Sequence, residues 1–377
     1  MVEIRLVDCD NKKQVKEFVQ FHYDLYKGDP NWVPPFRGDV EVMLNKKKHP
    51  YYEHSEADFF TAWKDGKMVG RIAVLNNRKY NEYHHENGSD IFLFDSIDDQ
   101  EVANALFDKA AEWSRERGLD KMMGPKGFGL FDGYGVLVEG FDVRQVMNMS
   151  CYNYPYYQKL YETYGWTRIN EFVSMSFNVD EFQLPEKAYK VADIVKKRGT
   201  IKMKLYKSRK DIMDDAHNIA AMYFKSFQDN WEYFPMSDSE FDFFVENVLK
   251  MVDPKLIRIL ANDNNEPIGL LVNFPDLSAA MQRHHGTLTP ALIIDLLLEM
   301  KKADNACLNG IGVLPEYHKR GGTALLYTEM KEVFNQNPQF KTVECVQMAD
   351  SAAQIRQEME NLGLKINKRH RVYQVSI

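Results

Sequence analysis

Asn309-Gly-Ile-Gly-Val-Leu-Pro-Glu-Tyr-His-Lys-Arg-Gly-Gly-Thr-Ala-Leu-Leu-Tyr327 is the stretch from which the fold is read. An apolar run ends at Leu314 and Pro315 stops it. A basic, glycine-rich turn follows from His318 to Thr323, and an apolar-periodic segment runs from Ala324 to Val333. The order is strand, tight loop, helix. Such a loop leaves backbone N–H groups unpaired at a helix N-terminus, where the helix dipole also favours negative charge. Gly321 and Gly322 allow close approach to the main chain, and Lys319 and Arg320 add positive charge. The stretch reads as an anion cradle, most simply for a phosphate or pyrophosphate. The alternative is an ordinary β–α connection with a glycine turn. The Val-x-Pro-x-Tyr before the loop and the basic pair inside it weigh toward the cradle.

The 377 residues are too many for one typical core, so two domains are expected. Hydrophobic content of 44% and charged content of 27% are those of a globular protein. A net charge of −7 argues against a general nucleic-acid binder, whose affinity needs a basic surface. Lys46-Lys47-Lys48 reads as a solvated loop. No signal pattern opens the chain, and no apolar run approaches a membrane span. Cys9, Cys151, Cys307 and Cys345 lie far apart without metal-ligand spacing, which reads as a reduced thiol set, a cytoplasmic protein and no metal.

The chain repeats itself. Residues 3–8 read as a strand, Asn11 to Lys27 as a helix, and Ala57–Trp63 with Lys67–Asn76 as a hairpin turning at Lys64-Asp65-Gly66. A strand at Ile91–Ile97, a helix capped by Asp99, a helix at Tyr156–Tyr164 closed by Gly165 and a strand at Glu171–Val179 follow. From Ile201 the order begins again: strand, helices at Ser208–Phe227 and Ser237–Val252, a hairpin over Leu256–Phe274, the opening stretch, a strand at Thr342–Met348, a helix at Ser351–Asn361 and a strand at His370–Val375. Ile4 matches Ile201, Gly70 matches Gly269 and Gly165 matches Gly363, at an offset of about 198 residues. The fold class is α/β: two tandem units, each a mixed, mostly antiparallel sheet flanked by helices. The second copy carries an insertion, Ser278–Asp304, whose apolar run Leu292–Met300 reads as an extra helix and a candidate cover for a cleft.

This order of elements, with Val313-Leu-Pro-Glu-Tyr-His-Lys-Arg-Gly-Gly-Thr-Ala-Leu, resembles the acyl-CoA-dependent N-acetyltransferases of the GNAT superfamily, here in tandem. Their usual loop is Gln/Arg-x-x-Gly-x-Gly/Ala. His318 stands in the Gln/Arg place, Gly321 in the first glycine place and Thr323 in the Gly/Ala place, so the match is partial. The resemblance implies a strand at Gly312-Val313 that splays from its neighbour to receive the pantetheine arm. It also implies a Val313 N–H aimed at the thioester carbonyl, and a pyrophosphate held by His318, Lys319, Arg320, Gly321, Gly322, Thr323 and Ala324. In many such enzymes a tyrosine four places before the later glycine protonates the departing thiolate. Tyr161 sits there in the first copy and Met359 in the second. The first copy's counterpart of the cofactor loop, Phe92-Leu-Phe-Asp-Ser-Ile-Asp-Asp-Gln-Glu101, is acidic and without glycine, and should repel a pyrophosphate.

Acyl transfer to an amine also needs a base. Asp276, after the second hairpin strand, is the first candidate; a Pro275-Asp276 turn is the plain alternative. Glu344 lies on the strand after the cofactor helix. Asn309 could order a water, and Tyr373 is a candidate acid whose alternative is core packing. His284-His285 and His84-His85 read more simply as exposed loop pairs. The loop Gly124–Gly135, with Phe128, Phe131 and Tyr134, is a candidate cavity lining against the alternative of a packed surface loop.

The expected organisation is a degenerate first domain over 1–180, a connector over 181–200 and a CoA-binding domain over 201–377. The expected function is an N-acyltransferase using acetyl-CoA or another acyl-CoA, acting on a small-molecule amine. Neither nucleic acid nor membrane is expected as a partner, and the chain is expected as monomer or homodimer. The alternatives are a non-catalytic CoA-binding or sensing protein and an aminoacyl-tRNA-dependent transferase of related tandem fold.

Overall fold

The structure is a computed structural model and describes residues 1–129, 132–147, 149–231, 233–247, 252–349 and 353–377. The elements run β1 (Glu3–Leu6), α1 (Lys12–Leu25), α2 (Arg37–Leu44), β2 (Glu56–Lys64), β3 (Lys67–Asn76), α3 (Arg78–His84), β4 (Gly88–Ser96), α4 (Gln100–Arg115), β5 (Lys121–Gly124), β6 (Val136–Glu139), α5 (Tyr156–Tyr164) and β7 (Thr167–Asn178). They continue with α6 (Glu186–Arg198), β8 (Lys202–Lys204), α7 (Arg209–Asp214), α8 (Ala216–Ser226), α9 (Asp238–Asn247), β9 (Ile257–Ala261), β10 (Pro267–Pro275), α10 (Ser278–Arg283) and α11 (Pro290–Lys302). The chain closes with β11 (Asn305–Val313), α12 (Gly322–Gln336), β12 (Thr342–Ala349), α13 (Ala353–Asn361) and β13 (Lys365–Ser376).

Two compact units form: Met1–Ser174 with Leu277–Glu299 and Asn367–Ile377, and Met175–Asp276 with Met300–Ile366. The strand order β1-β2-β3-β4-β5-β13 builds the first unit, with β6 also on β13. Its one parallel pair among the described residues is β4–β5; β1–β2, β2–β3, β3–β4 and β13–β5 are antiparallel. The strand order β12-β11-β10-β9-β8 builds the second unit, where β11–β12 is parallel and the other pairs are antiparallel. Each unit thus has the mixed, mostly antiparallel sheet that the repeat foretells.

Local chemistry sets the boundaries. Asn11 caps α1 by accepting from the Lys13 and Gln14 N–H groups, and Asp99 caps α4 through the Glu101 N–H. The β2–β3 turn takes left-handed φ at Asp65 and Gly66, as a two-residue hairpin turn requires. Side chains then alternate across the sheet of the first unit. Phe60 joins Leu106 and Trp113 of α4 on one face, while Phe59 joins Phe18 of α1 and Tyr26 just after it on the other.

The units depart from the expected boundaries in three ways, the first being that Leu277–Glu299, expected within the second copy, groups with the first unit. The connector is a helix, α6, inside the second unit. The C-terminal strand belongs to the first unit, because β13 pairs with β5 from Tyr373↔Gly124 to Ser376↔Lys121. The helix expected over Ser208–Phe227 divides at Asp215, whose carboxylate is drawn to Lys204 at 2.6 Å. The ends of the helices expected at Ser237–Val252 and Ser351–Asn361 reach residues outside those described.

Candidate active site

The second unit holds an opened strand pair. Parallel pairing of β11 and β12 runs from Asn305↔Thr342 to Leu308↔Cys345 and ends there, although β11 continues to Val313 and β12 to Ala349. At that point β11 carries a bulge: Asn273 faces Leu308 while Val272 faces Gly310, so Asn309 is the extra residue. On its other edge β11 stays paired with β10 to Gly269↔Val313, and the Leu314 N–H reaches the Ile268 carbonyl at 2.8 Å. Antiparallel hydrogen bonding alternates, so the Val313 N–H and C=O turn to the opposite edge, into the opening. His318 Nε2 donates to that Val313 carbonyl at 2.9 Å, which fixes the ring tautomer and ties the loop to the strand end.

The loop after β11 opens α12 with main-chain N–H groups turned out of the helix. Lys319 (φ 61°) and Gly321 (φ 88°) are left-handed, and the first α-helical bond of α12 is from the Leu325 N–H to the Gly321 carbonyl. The N–H groups of Gly322, Thr323 and Ala324 therefore have no carbonyl one turn earlier. His318, Lys319, Arg320 and Thr323 are exposed around them. Gly321 has a second reason to be glycine: a Cβ there would lie 2.6 Å from Val195 and 3.0 Å from Val191 of α6. The connector helix thus braces the loop.

One face of the opened strand is aromatic. A Cβ at Gly310 would meet Tyr223 at 3.3 Å, and one at Gly312 would meet Ser226 and Phe227 at 3.4 Å. Tyr223 also lies against Phe227 and Phe244, with ring centroids 4.7 Å and 6.2 Å apart. Glu344 pairs with Cys307, and the bulge puts both on the face that carries Gly310 and Gly312. It is buried there. Cys345 points to the other face, toward α12, and burial pushes its thiol up to about 12.

The first unit has the same opening, filled from within. Pairing of β4 with β5 ends at Asp90↔Met123, and β4 continues to Ser96. Ser96 faces Gly70, and the Ile97 N–H bonds the Val69 carbonyl, which makes Ser96 the counterpart of Val313. The Ser96 N–H donates to the Tyr157 hydroxyl at 3.1 Å, and the Tyr156 hydroxyl donates to the Ser96 carbonyl at 2.7 Å. Further back, the Lys126 N–H bonds the Ile91 carbonyl, so the loop after β5 occupies the strand edge. Asp95, the counterpart of Gly312, accepts from Arg71 Nε at 2.7 Å and His22 Nδ1 at 2.9 Å. Burial alone would raise the Asp95 carboxyl, but His22 and Arg71 override it and hold it below the ordinary range. The indole of Trp32 donates to His22 Nε2, so both ring nitrogens are engaged.

The expected site residues are thus divided. Gly312, Val313 and the loop His318–Ala324 lie together at the end of β11, while Asn309 is the bulge residue and Glu344 sits beside Cys307, roughly 17 Å of strand before Val313. Asp276 does not join them: it sits beside Asn305 (3.3 Å) at the start of β11, roughly 25 Å of strand from Val313. Tyr373 is on β13 in the first unit, where its hydroxyl donates to Glu162 at 3.2 Å and its ring packs on Tyr161. Local sequence did not show which sheet the last strand would join. Tyr161 is fully buried in the same core, and Met359 is buried in the second unit. Phe128 packs with Tyr51 and Tyr134 stacks on Phe172, so these two are buried core residues; Phe131 lies outside the described residues. His284 pairs with Asp295 and His84 packs on Tyr80. Sequence reasoning missed Tyr223 and Phe227, whose four-residue spacing marks one helix face. It also missed Tyr156 and Tyr157, although the run Tyr152–Tyr157 is dense in tyrosine. Among the described residues no His, Cys, Asp or Glu group could hold a metal.

No family model matches the chain. It is 26% identical over 373 residues to protein YghO of Escherichia coli (strain K12), covering 97% of this chain and 94% of that one. It is 24% identical over 334 residues to a bacterial ceramide synthase of Caulobacter vibrioides (strain NA1000 / CB15N), covering 87% and 85%. Among solved structures it matches a tandem GNAT protein from the clavulanic acid biosynthesis pathway. That match has a TM-score of 0.56, 11% identity, and covers 100% of this chain and 98% of that one. The chain has the GNAT fold in tandem.

Proposed function

We propose that the second unit binds an acyl-CoA and passes its acyl group to the amine of an apolar molecule. The observation that carries this is the Val313 N–H turned into the opening between β11 and β12, beside the exposed head of α12. The residues fit the ligand. The N–H groups of Gly322, Thr323 and Ala324, with Lys319 and Arg320, suit a pyrophosphate. The open edge of β11 offers hydrogen bonds to an extended pantetheine arm. Acyl-CoA, when bound, supplies the activated thioester. The Val313 N–H then stabilises charge on its carbonyl oxygen. The proton that the amine sheds passes through water, ordered by Asn309 at the bulge, to Glu344 on the face that carries Gly310 and Gly312. Met359 can give no proton to sulfur, so that proton comes from solvent.

The first unit, in this reading, binds no CoA. Tyr157 already occupies the Ser96 N–H, Lys126 the strand edge, and Asp95 stands where the second unit has Gly312. Its acidic loop adds repulsion. It serves as a scaffold.

The apolar acceptor is supported by the aromatic cover over Gly310 and Gly312 and by the relative named a bacterial ceramide synthase, since ceramide is an amide of a long-chain amino alcohol. An acyl-CoA longer than acetyl-CoA fits the same relation. Met359 favours one other reading, a CoA-binding protein without catalysis. Release of CoA from acetyl-CoA and palmitoyl-CoA, with a long-chain amino alcohol against small polar amines, separates the two. Amide formation with the long-chain amine is expected. CoA binding without release over the whole set would leave the sensor; no binding would remove both. Glu344→Gln is expected to lower kcat by about 100- to 1000-fold with CoA affinity unchanged.

A further inference from the structure

Helix α11, Pro290–Lys302, turns an aliphatic face outward although it seats Leu292 inward. At 3.6 residues per turn, Ile293, Ile294, Leu297 and Leu298 share one face. That face points to solvent: the four are 48%, 60%, 56% and 46% exposed, and Leu288 just ahead of the helix is 67% exposed. The opposite side carries buried Leu292 and half-buried Leu296 together with Asp295 and Glu299. Arg283 of α10 grips Asp295 at 2.8 and 3.0 Å and also bonds Glu299, while His284 lies 3.1 Å from Asp295. These pairs fix the rotation of the helix. A helix on a globular surface normally turns its aliphatic stripe to the core, so an ion-paired anchor that holds the stripe outward calls for an occupant.

We propose that this face docks on an anionic lipid surface. Between Pro290 and Lys302 the outward side bears no acidic residue, in a chain of net charge −7. Its last turn places Lys301 in the centre of the stripe, eight residues after Ile293 and four after Leu297, with Lys302 beside it; both are exposed. Lysines at the end of an apolar stripe extend their stems along it and reach the headgroup phosphates. A helix of this pattern lies in the interfacial plane with its aliphatic side chains among the upper acyl carbons. A second copy of the chain is the weaker occupant, because five side chains fall short of the roughly 800 Å² per partner of a stable protein interface. The sequence reading expected no membrane partner, and no helix among the described residues is long and apolar enough to cross one; the geometry here is that of a helix lying on the surface. The inference stands apart from the acyl-transfer reading, to which it adds a place where an amphiphilic amine is met.

The test is flotation of the full chain with vesicles of equal parts phosphatidylglycerol and phosphatidylcholine, and with vesicles of phosphatidylcholine alone. The chain is expected to float with the anionic vesicles. Ile294→Asn with Leu297→Asn is expected to lower that partitioning at least ~10-fold. Lys301→Glu with Lys302→Glu is expected to lower it on anionic vesicles and leave the weaker binding to phosphatidylcholine unchanged. Both variants alter exposed side chains, so circular dichroism and CoA affinity are expected to match the unmodified chain, which separates a failure here from a failure of the CoA site. A chain that stays in solution with both vesicle types would overturn the proposal, as would an Ile294/Leu297 variant that floats like the parent. Sedimentation showing a dimer that the same variant converts to monomer would reassign the face to self-association.

Discussion

Gly321→Ala separates the anion-site reading from a merely well-packed loop. Gly321 is left-handed at φ 88°. An alanine there costs about 1–2 kcal/mol in backbone strain. Its methyl would also sit 2.6 Å from Val195 and 3.0 Å from Val191, both on the braced side of α6. Relief of that overlap moves the loop or the helix and costs roughly 1–3 kcal/mol more. The expected loss in unfolding free energy is therefore about 2–5 kcal/mol. Because the strain falls on the residue that caps α12, the Gly322–Ala324 N–H groups shift as well. CoA affinity by calorimetry is expected to drop at least ~10-fold at a temperature where the variant is fully folded. Two controls resolve the contributions. Gly199→Ala meets the same kind of left-handed φ (71°) with no atom within 4 Å, so it should cost only the backbone strain and leave CoA affinity alone. Adding Val195→Ala to Gly321→Ala should recover part of the steric cost and none of the φ cost. A Gly321→Ala protein that loses the expected stability yet binds CoA like the parent would refute the placement of the pyrophosphate at the head of α12.

Asp95→Ala removes the partner of Arg71, a side chain only 2% exposed, and is expected to cost about 3–5 kcal/mol by chemical denaturation while CoA affinity of the folded protein holds. His370 is buried, with its Nε2 donating to the Cys151 carbonyl at 2.9 Å, and burial lowers it to about 4. Its folded value lies below its unfolded one, so the stability it gives is present above about pH 6.5 and is lost as pH falls toward 4, by about 3 kcal/mol. Asp90 and Asp132, raised to about 6 by burial, act in the opposite direction over the same range. The comparison is therefore between the parent and His370→Gln, whose stability should fall less between pH 6.5 and 4; equal slopes would show that His370 does not titrate as described.

The repeat was legible because its landmarks are forced by backbone geometry. Gly70 and Gly269 sit where a Cβ would strike neighbouring strands or helices at 2.8 and 2.9 Å, and Gly165 and Gly363 are left-handed, so such positions keep their residue in each copy. The strand–loop–helix order of Asn309 to Tyr327 was legible for the same reason, with Gly321 left-handed at its turn. Asp276 misled because sequence marks it as the end of a strand and cannot say which end of the neighbouring strand it meets. Antiparallel pairing of β10 with β11 carried it to Asn305, away from Val313. Tyr373 misled because strand partnership is decided over the whole fold, and β13 found β5 and β6. Glu344 was resolved by a single extra residue: the bulge at Asn309 sets which face it shares with Gly310 and Gly312. The tyrosines that fill the first unit's opening could be read only once the register made Ser96 the counterpart of Val313.

Hydrogen–deuterium exchange of the full chain with and without CoA tests most directly the claim that one of the two openings is a ligand site and the other is filled by its own side chains. The prediction is slower exchange at the Val313 amide and at Gly321 to Ala324 on adding CoA, with Phe92 to Glu101 unchanged. Protection at Phe92 to Glu101, or none at Gly321 to Ala324 under saturating CoA, would contradict it.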